Sequence, residues 1–317
     1  MRRIILIFII FLNYKLNATE IFNLDAYSAR SFALAEIGST LENDISSFNL
    51  NPAILGTLEY NSFDFSYMFW IEDINIINFE TGIPFKSIGN FASGFTYIGF
   101  PDFQNYDETG KQLSSLSCND LLINFGFGNK IMNFLYYGFS LNYIKISLGE
   151  YSSKVFALNS GILYRTKISG ITKSIDKNFN IGFSIFKGLN SLKFIEEEIT
   201  AFWRIKAGIK YDFLNIENLK TSFLSEWRIN SYTEPKFSTG IEICLFDYYN
   251  LRIGYIFKKD FLHKLNYGVG IIEKRVGYNL IFDYSYIPFK NFGISHIISL
   301  KIEFDKSLKK SIEKEKK

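Results

Sequence analysis

Residues 203–213 read Trp-Arg-Ile-Lys-Ala-Gly-Ile-Lys-Tyr-Asp-Phe, with an apolar or aromatic side chain at every odd position and a charged residue or glycine at every even one. Alternate side chains of a strand point to opposite faces, so this segment has one greasy face and one ionic face. The same period of two runs through 237–243, 251–255 and 276–286. Strands of this kind are two-faced and antiparallel, unlike the continuous apolar runs of a buried parallel sheet.

Segmenting the chain by that rhythm predicts fourteen strands, at 60–70, 73–83, 91–100, 119–128, 134–146, 154–167, 177–187, 200–213, 218–229, 235–246, 249–258, 264–274, 276–287 and 293–304. Most exceed the ~5–6 residues usual in soluble sheets and match the ~9–11 that a tilted strand needs to cross a bilayer. Aromatic residues make up 18% of the chain, with 34 Phe and 20 Tyr. A soluble sandwich carrying them on so many outer faces would expose very large apolar patches, whereas a membrane barrel turns them to lipid and to interfacial girdles. The mean hydropathy of +0.04 is no objection, because a barrel averages an apolar outside with a polar inside. The expected fold is all-β, a transmembrane antiparallel β-barrel of about fourteen strands. Short periplasmic turns and longer external loops are the rule in such barrels. The links 214–217 and 247–248 are therefore expected on the periplasmic side and the longest, 101–118 and 188–199, outside, although 168–176 is long for a periplasmic turn.

The N-terminus reads as a cleaved signal peptide over 1–18: Arg2 and Arg3, the apolar run Ile4 to Leu12, and Leu16-Asn17-Ala18 as a cleavage site. The apolar run is far shorter than the ~20 residues of a membrane helix. The division that follows is signal 1–18, an N-terminal segment 19–59, a barrel 60–304 and a charged tail 305–317, with the cell outer membrane as destination. The net charge of +3 comes from the two ends. The body is mildly acidic, and nothing points to nucleic acid. Cys118 and Cys244 are expected to be unpaired.

Residues 19–59 differ in texture. Ser28-Ala29-Arg30-Ser31-Phe32-Ala33-Leu34-Ala35 is helix-compatible, and Phe48-Asn49-Leu50-Asn51-Pro52-Ala53-Ile54-Leu55-Gly56 carries apolar anchors just before the first strand. Such anchors need something to pack against, and the lumen is nearest. The order Ala-Arg-x-Phe-Ala-Leu-Ala, a Gly, an Asp-Ile-Ser-Ser stretch, then Asn51-Pro52-Ala53, resembles the hatch of the FadL-type long-chain fatty-acid transporter superfamily. It is closest to the branch that includes PorV- and PorQ-like proteins. The C-terminal stretches Leu251-Arg252-Ile253-Gly254-Tyr255, Asp283-Tyr284-Ser285-Tyr286 and Gly293-Ile294-Ser295-His296 are similar to that branch as well. The resemblance implies a lumenal hatch containing Arg30, Asn51, Pro52 and Ala53. It also implies passage of hydrophobic small molecules such as fatty acids, with sideways exit where a strand bends inward. Gly94 and Gly99, followed by Pro101, mark the third strand for that lateral gate, although Gly94 fits packing relief equally well. PorV-like kinship implies instead an accessory to protein secretion or surface attachment, and a structural or adhesive role is a third reading. The partners expected are outer-membrane lipid, the barrel-assembly machinery, a hydrophobic ligand or, on the second reading, secretion-system proteins.

Nothing in the sequence supports catalysis. His263 and His296 lack acids or cysteines at metal-ligand spacing, and alternation puts Ser295 and Ser299 on the face opposite His296, where no triad converges. No cofactor or metal is expected. The inward charges Asp64, Arg204, Lys206, Lys210, Arg228, Glu242, Arg252 and Asp283 have two readings: hydration of the lumen with ion pairs to the hatch, or, for Arg204, Lys206, Lys210, Arg252 and Asp283, a head-group site for an anion. Arg30 is expected to pair with Asp283 or Glu242.

Overall fold

The computed structural model describes residues 26–85, 87–104, 115–169, 176–194, 197–199, 201–216, 218–258, 264–290 and 292–304. The expected signal peptide 1–18, the tail 305–317 and His263 lie outside them. Fourteen strands close into one antiparallel barrel: β1 Asn61–Phe69, β2 Asn75–Phe85, β3 Gly89–Gly99, β4 Cys118–Met132, β5 Leu135–Leu148, β6 Tyr151–Ser169, β7 Asp176–Gly188, β10 Trp203–Ile216, β11 Leu219–Asn230, β12 Lys236–Leu245, β13 Tyr249–Phe257, β14 Leu265–Arg275, β15 Tyr278–Phe289 and β16 Gly293–Phe304. Each pairs with its sequence neighbours, and β1 closes on β16 from Asn61↔Phe304 to Phe69↔His296. Closure removes the sheet edges, as lipid requires of a spanning sheet. Among the described residues no helix is long and apolar enough to cross a membrane.

Several boundaries differ from those expected. The 168–176 link shrinks to 170–175 because β6 runs on to Ser169, which pairs with Asp176. The strand expected from Val276 begins at Tyr278, since Gly277 takes φ +92 and makes the turn. The loop after β7 carries a hairpin outside the barrel, β8 Leu192–Phe194 with β9 Glu197–Ile199. Bulges interrupt β4 between Lys130 and Met132 and β10 between Asp212 and Leu214.

Connections 133–134, 217–218, 246–248 and 276–277 cluster at one end, and 100–117 and 189–202 leave the other. The latter end is the external one by the rule of short periplasmic turns. Outward positions expose Phe65, Phe95, Phe125 and Leu141 at 42–63%, a coat that is stable only against lipid. Aromatic pairs ring both ends. Phe85, Phe91, Phe127 and Phe139 are spaced 5.1–5.7 Å apart on the periplasmic side. Trp227, Phe237 and Phe257 are 5.6–6.4 Å apart on the external side.

Inside lies the segment 26–58, nearly all of it buried. The helix-compatible stretch makes only one short helix, α1 Ala29–Ala33, capped by Ser28, whose side chain accepts from the Ser31 amide. Two 3-10 turns follow, η1 Ile45–Ser47 and η2 Pro52–Thr57. Room for them comes from inward glycines: a Cβ on Gly138 would overlap the Pro52 carbonyl, and one on Gly254 would overlap the backbone of Leu34 and Ala35.

Candidate functional site: the filled lumen

Because the inner segment has little regular structure, its backbone polar groups need partners elsewhere. The wall supplies them. Asn266 Nδ2 donates to the Phe32 carbonyl (2.7 Å), Ser184 Oγ to that of Leu50 (2.7 Å), Asn159 Nδ2 to that of Asn49 (2.9 Å) and Asn90 Nδ2 to that of Leu58 (3.1 Å). The Ala29 amide donates to Ser299 Oγ at 2.8 Å. Asn51 caps η2 by accepting from the Ala53 amide (3.0 Å), and its Nδ2 donates to the carbonyls of Ser39 (2.8 Å) and Ile162 (3.2 Å). Pro52 occupies the first turn, where no amide is needed.

The charges are matched between segment and wall. Arg30 forks onto Glu242 at 2.9 and 2.7 Å and reaches Asp44 at 2.9 Å. Glu242 also takes Arg252 at 2.7 Å, and Arg252 bonds Asp283 in turn. Asp44 receives Lys301 at 3.1 Å. Burial opposes the charge on Asp44, yet the Lys301 ammonium and Arg30 guanidinium beside it hold its carboxyl well below the usual range. Glu36 joins Arg228 (2.9 Å) and Lys236 (2.7 Å), and Glu42 joins Arg165 (2.9 Å) and Lys210 (3.5 Å). Glu36 and the preceding Ala35 sit at φ 63 and 59. Strain of this kind persists only where the surroundings over-determine it, as the two cations on Glu36 do. Lys206 lies 3.9 Å from Glu226, whose other oxygen accepts the amides of Gly38 and Ser39.

Of the cations expected to hold a head group, Lys206, Lys210 and Arg252 thus face acids, and Arg204 stacks over Phe186 at 4.9 Å near the external end. Asp64 faces inward and is buried, with Ser66 Oγ donating to it. Sequence reasoning missed Glu36, Asp44, Glu226, Lys236 and Lys301 as wall or segment partners. Lys301 and Glu226 were findable, since each occupies an inward position of its strand.

The third strand does not bend open. β3 pairs without a shift with β2 from Asn75↔Gly99 to Phe85↔Gly89 and with β4 from Asn90↔Gly128 to Gly99↔Asn119. A Cβ on Gly94 would overlap Asn124, whose side chain crosses it to reach Asn49. Gly94 therefore gives space to a wall-to-segment contact. Pro101 follows the strand and is exposed.

The external third of the lumen is different in kind. Ala26, Tyr27, Phe32 and Leu50 pack there with Met68, Trp70, Ile76, Ile98, Ile287, Phe289 and Ile297. Trp70 stands edge-on to Phe32 at 5.6 Å and to Phe289 at 4.9 Å.

No protein-family model and no curated protein matches the sequence. Solved structures do match. The toluene transporter TbuX of Ralstonia pickettii is similar at TM-score 0.59 and 12% identity, over 90% of this chain and 100% of that one. The monoaromatic hydrocarbon channel CymD follows at 0.55 and 13%, over 89% and 98%. The Pseudomonas putida toluene transporter TodX stands at 0.55 and 11%, over 89% and 98%. The fold is that of a FadL-type channel. Identities this low speak for fold alone. With the lipid-facing coat and closed wall, they make the chain an outer-membrane β-barrel resembling FadL-type channels for hydrophobic small molecules. These neighbours are transport channels and not enzymes. In this barrel His296 faces lipid with Tyr284 Oη 2.7 Å from its Nδ1, while Ser295 and Ser299 bond inward.

Proposed function

We propose that the barrel admits hydrophobic small molecules through its external mouth, with the inner segment acting as a hatch that must shift to let them pass. The observation that carries this reading is the aromatic and aliphatic cluster around Trp70, Phe32 and Phe289 at the external mouth, more extensive than the small apolar clusters that lie deeper among the lumen's ions and amides. Apolar ligand sites with few polar groups are the usual form of small-molecule pockets. The transport of toluene and monoaromatic hydrocarbons by proteins of the same fold supports it. Ion pairs tie the hatch to many strands without covalent bonds, which suits an element that must be held and released. The test is uptake of radiolabelled toluene by cells that carry or lack the protein. Faster uptake is expected with the barrel, and equal uptake contradicts the reading.

A PorV-like accessory role in secretion is favoured by one observation, the completeness with which residues 26–58 fill the lumen. On that reading toluene uptake is unchanged and crosslinking recovers exported proteins on the external loops.

A further inference from the structure

Most lumenal charges have an ionic partner, but Asp120 does not. It faces inward near the external end of β4, is 6% exposed, and its Oδ2 has no hydrogen-bond partner. Among the described residues it forms no ion pair. Its register partners are Ile98 on β3 and Ile146 on β5. The same level continues through Ile76 and Met68 to Ile297. One carboxylate therefore interrupts an apolar arc, bounded by Ser153 and Ser285, whose Ile98, Ile76, Met68 and Ile297 belong to the aromatic cluster at the mouth. Two residues along β4, Leu122 pairs with Ile144 on β5; both point inward and both are only half-buried. Solvent-sized space therefore reaches the lumen one step along from the carboxylate.

An unpaired acid in apolar surroundings is costly unless a partner arrives to satisfy it. We propose that Asp120 is the polar anchor of the ligand site at the mouth, and that the ligands are hydrophobic molecules bearing one hydrogen-bond donor, a hydroxyl or an amine. This rests on the channel reading above and narrows its substrate class. The arc takes the hydrocarbon body while the ionised carboxylate accepts from the O–H or N–H, the stronger kind of hydrogen bond because the acceptor is charged. A carboxylate ligand meets like charge at Asp120. The wall cations Arg228, Lys236 and Lys301 that could offset it are engaged by Glu36 and Asp44 of the hatch.

Calorimetric titration of the purified barrel in detergent at about pH 8.5, where a desolvated carboxyl is ionised, with 4-ethylphenol, ethylbenzene and 4-ethylbenzoate, ligands of nearly equal size, tests the proposal. The phenol is expected to bind about tenfold tighter than the hydrocarbon, with the benzoate weakest. In Asp120→Leu the preference should vanish while ethylbenzene binding is kept. Equal binding of phenol and hydrocarbon by the wild type, or a preference that survives Asp120→Leu, overturns the anchor and leaves the channel reading standing. Failure of all three to bind overturns the channel reading itself. Should Asp120→Leu not fold, Asp120→Asn serves. It keeps an oxygen acceptor without the charge, so the preference should fall to a few-fold, and an undiminished preference contradicts the proposal.

Discussion

Asn51 joins three pieces of chain with one side chain, since it caps η2 and donates to both Ser39 and the β6 carbonyl of Ile162. That Asn-Pro-Ala forms a turn before a strand is local chemistry, readable from the sequence. Its second bond, to the barrel wall, depends on the closed sheet and was not. Arg30 is similar: its charge was visible and its choice of Glu242 over Asp283 was not, because register decides which acid comes within reach. Arg30→Met should lower the urea unfolding midpoint by an amount equivalent to about 2–3 kcal/mol, below the ~3–5 of a fully orphaned buried charge. Arg252 and Lys301 remain to serve Glu242 and Asp44. The depressed titration of Asp44 has a defined sign. A carboxyl whose folded value lies below its unfolded value stabilises fully above the ordinary ~3.9 and loses that contribution as pH falls below it. Unfolding midpoints should thus hold from neutral pH to about 4 and drop beneath it, and Asp44→Asn should flatten part of that drop.

At the scale of elements, the strands were legible because their two faces meet different solvents. Trp203 to Tyr211 shows lipid on one side and the hatch on the other, and the alternation records both. Strand ends were less legible. Alternation continues through Val276 although the chain turns at Gly277, and it says nothing of the β8–β9 hairpin, which has no second environment to encode. The inner segment has no period, since its residues are fixed by separate contacts with the wall and with one another. Its place is marked better by the wall: inward glycines lie where it passes. Gly138→Val puts a branched Cβ into the Pro52 carbonyl, which is backbone and cannot swing aside. Proteolysis of the purified variant should then cut within 26–58 while the strands stay protected. A hatch as protected as in the wild type would show that the close approach is dispensable.

The barrel as a whole has one external and one periplasmic rim, assigned from the lengths of its connections. In intact cells an impermeant maleimide should label Asp102→Cys, in the long link after β3, and spare Asp247→Cys, in the turn between β12 and β13. The opposite pattern inverts the topology. The claim that matters most is that hydrophobic molecules cross this lumen by displacing the hatch. Leu34 of the hatch and Gly240 of β12 lie so that their Cβ positions are 3.4 Å apart, close to the ~3.8 Å of a disulfide. Uptake of labelled toluene by cells carrying Leu34→Cys with Gly240→Cys, oxidised and then reduced, is the most direct measurement. The account predicts uptake at the level of cells without the protein while the bond is closed, and recovery on reduction; undiminished uptake through the locked barrel would contradict it.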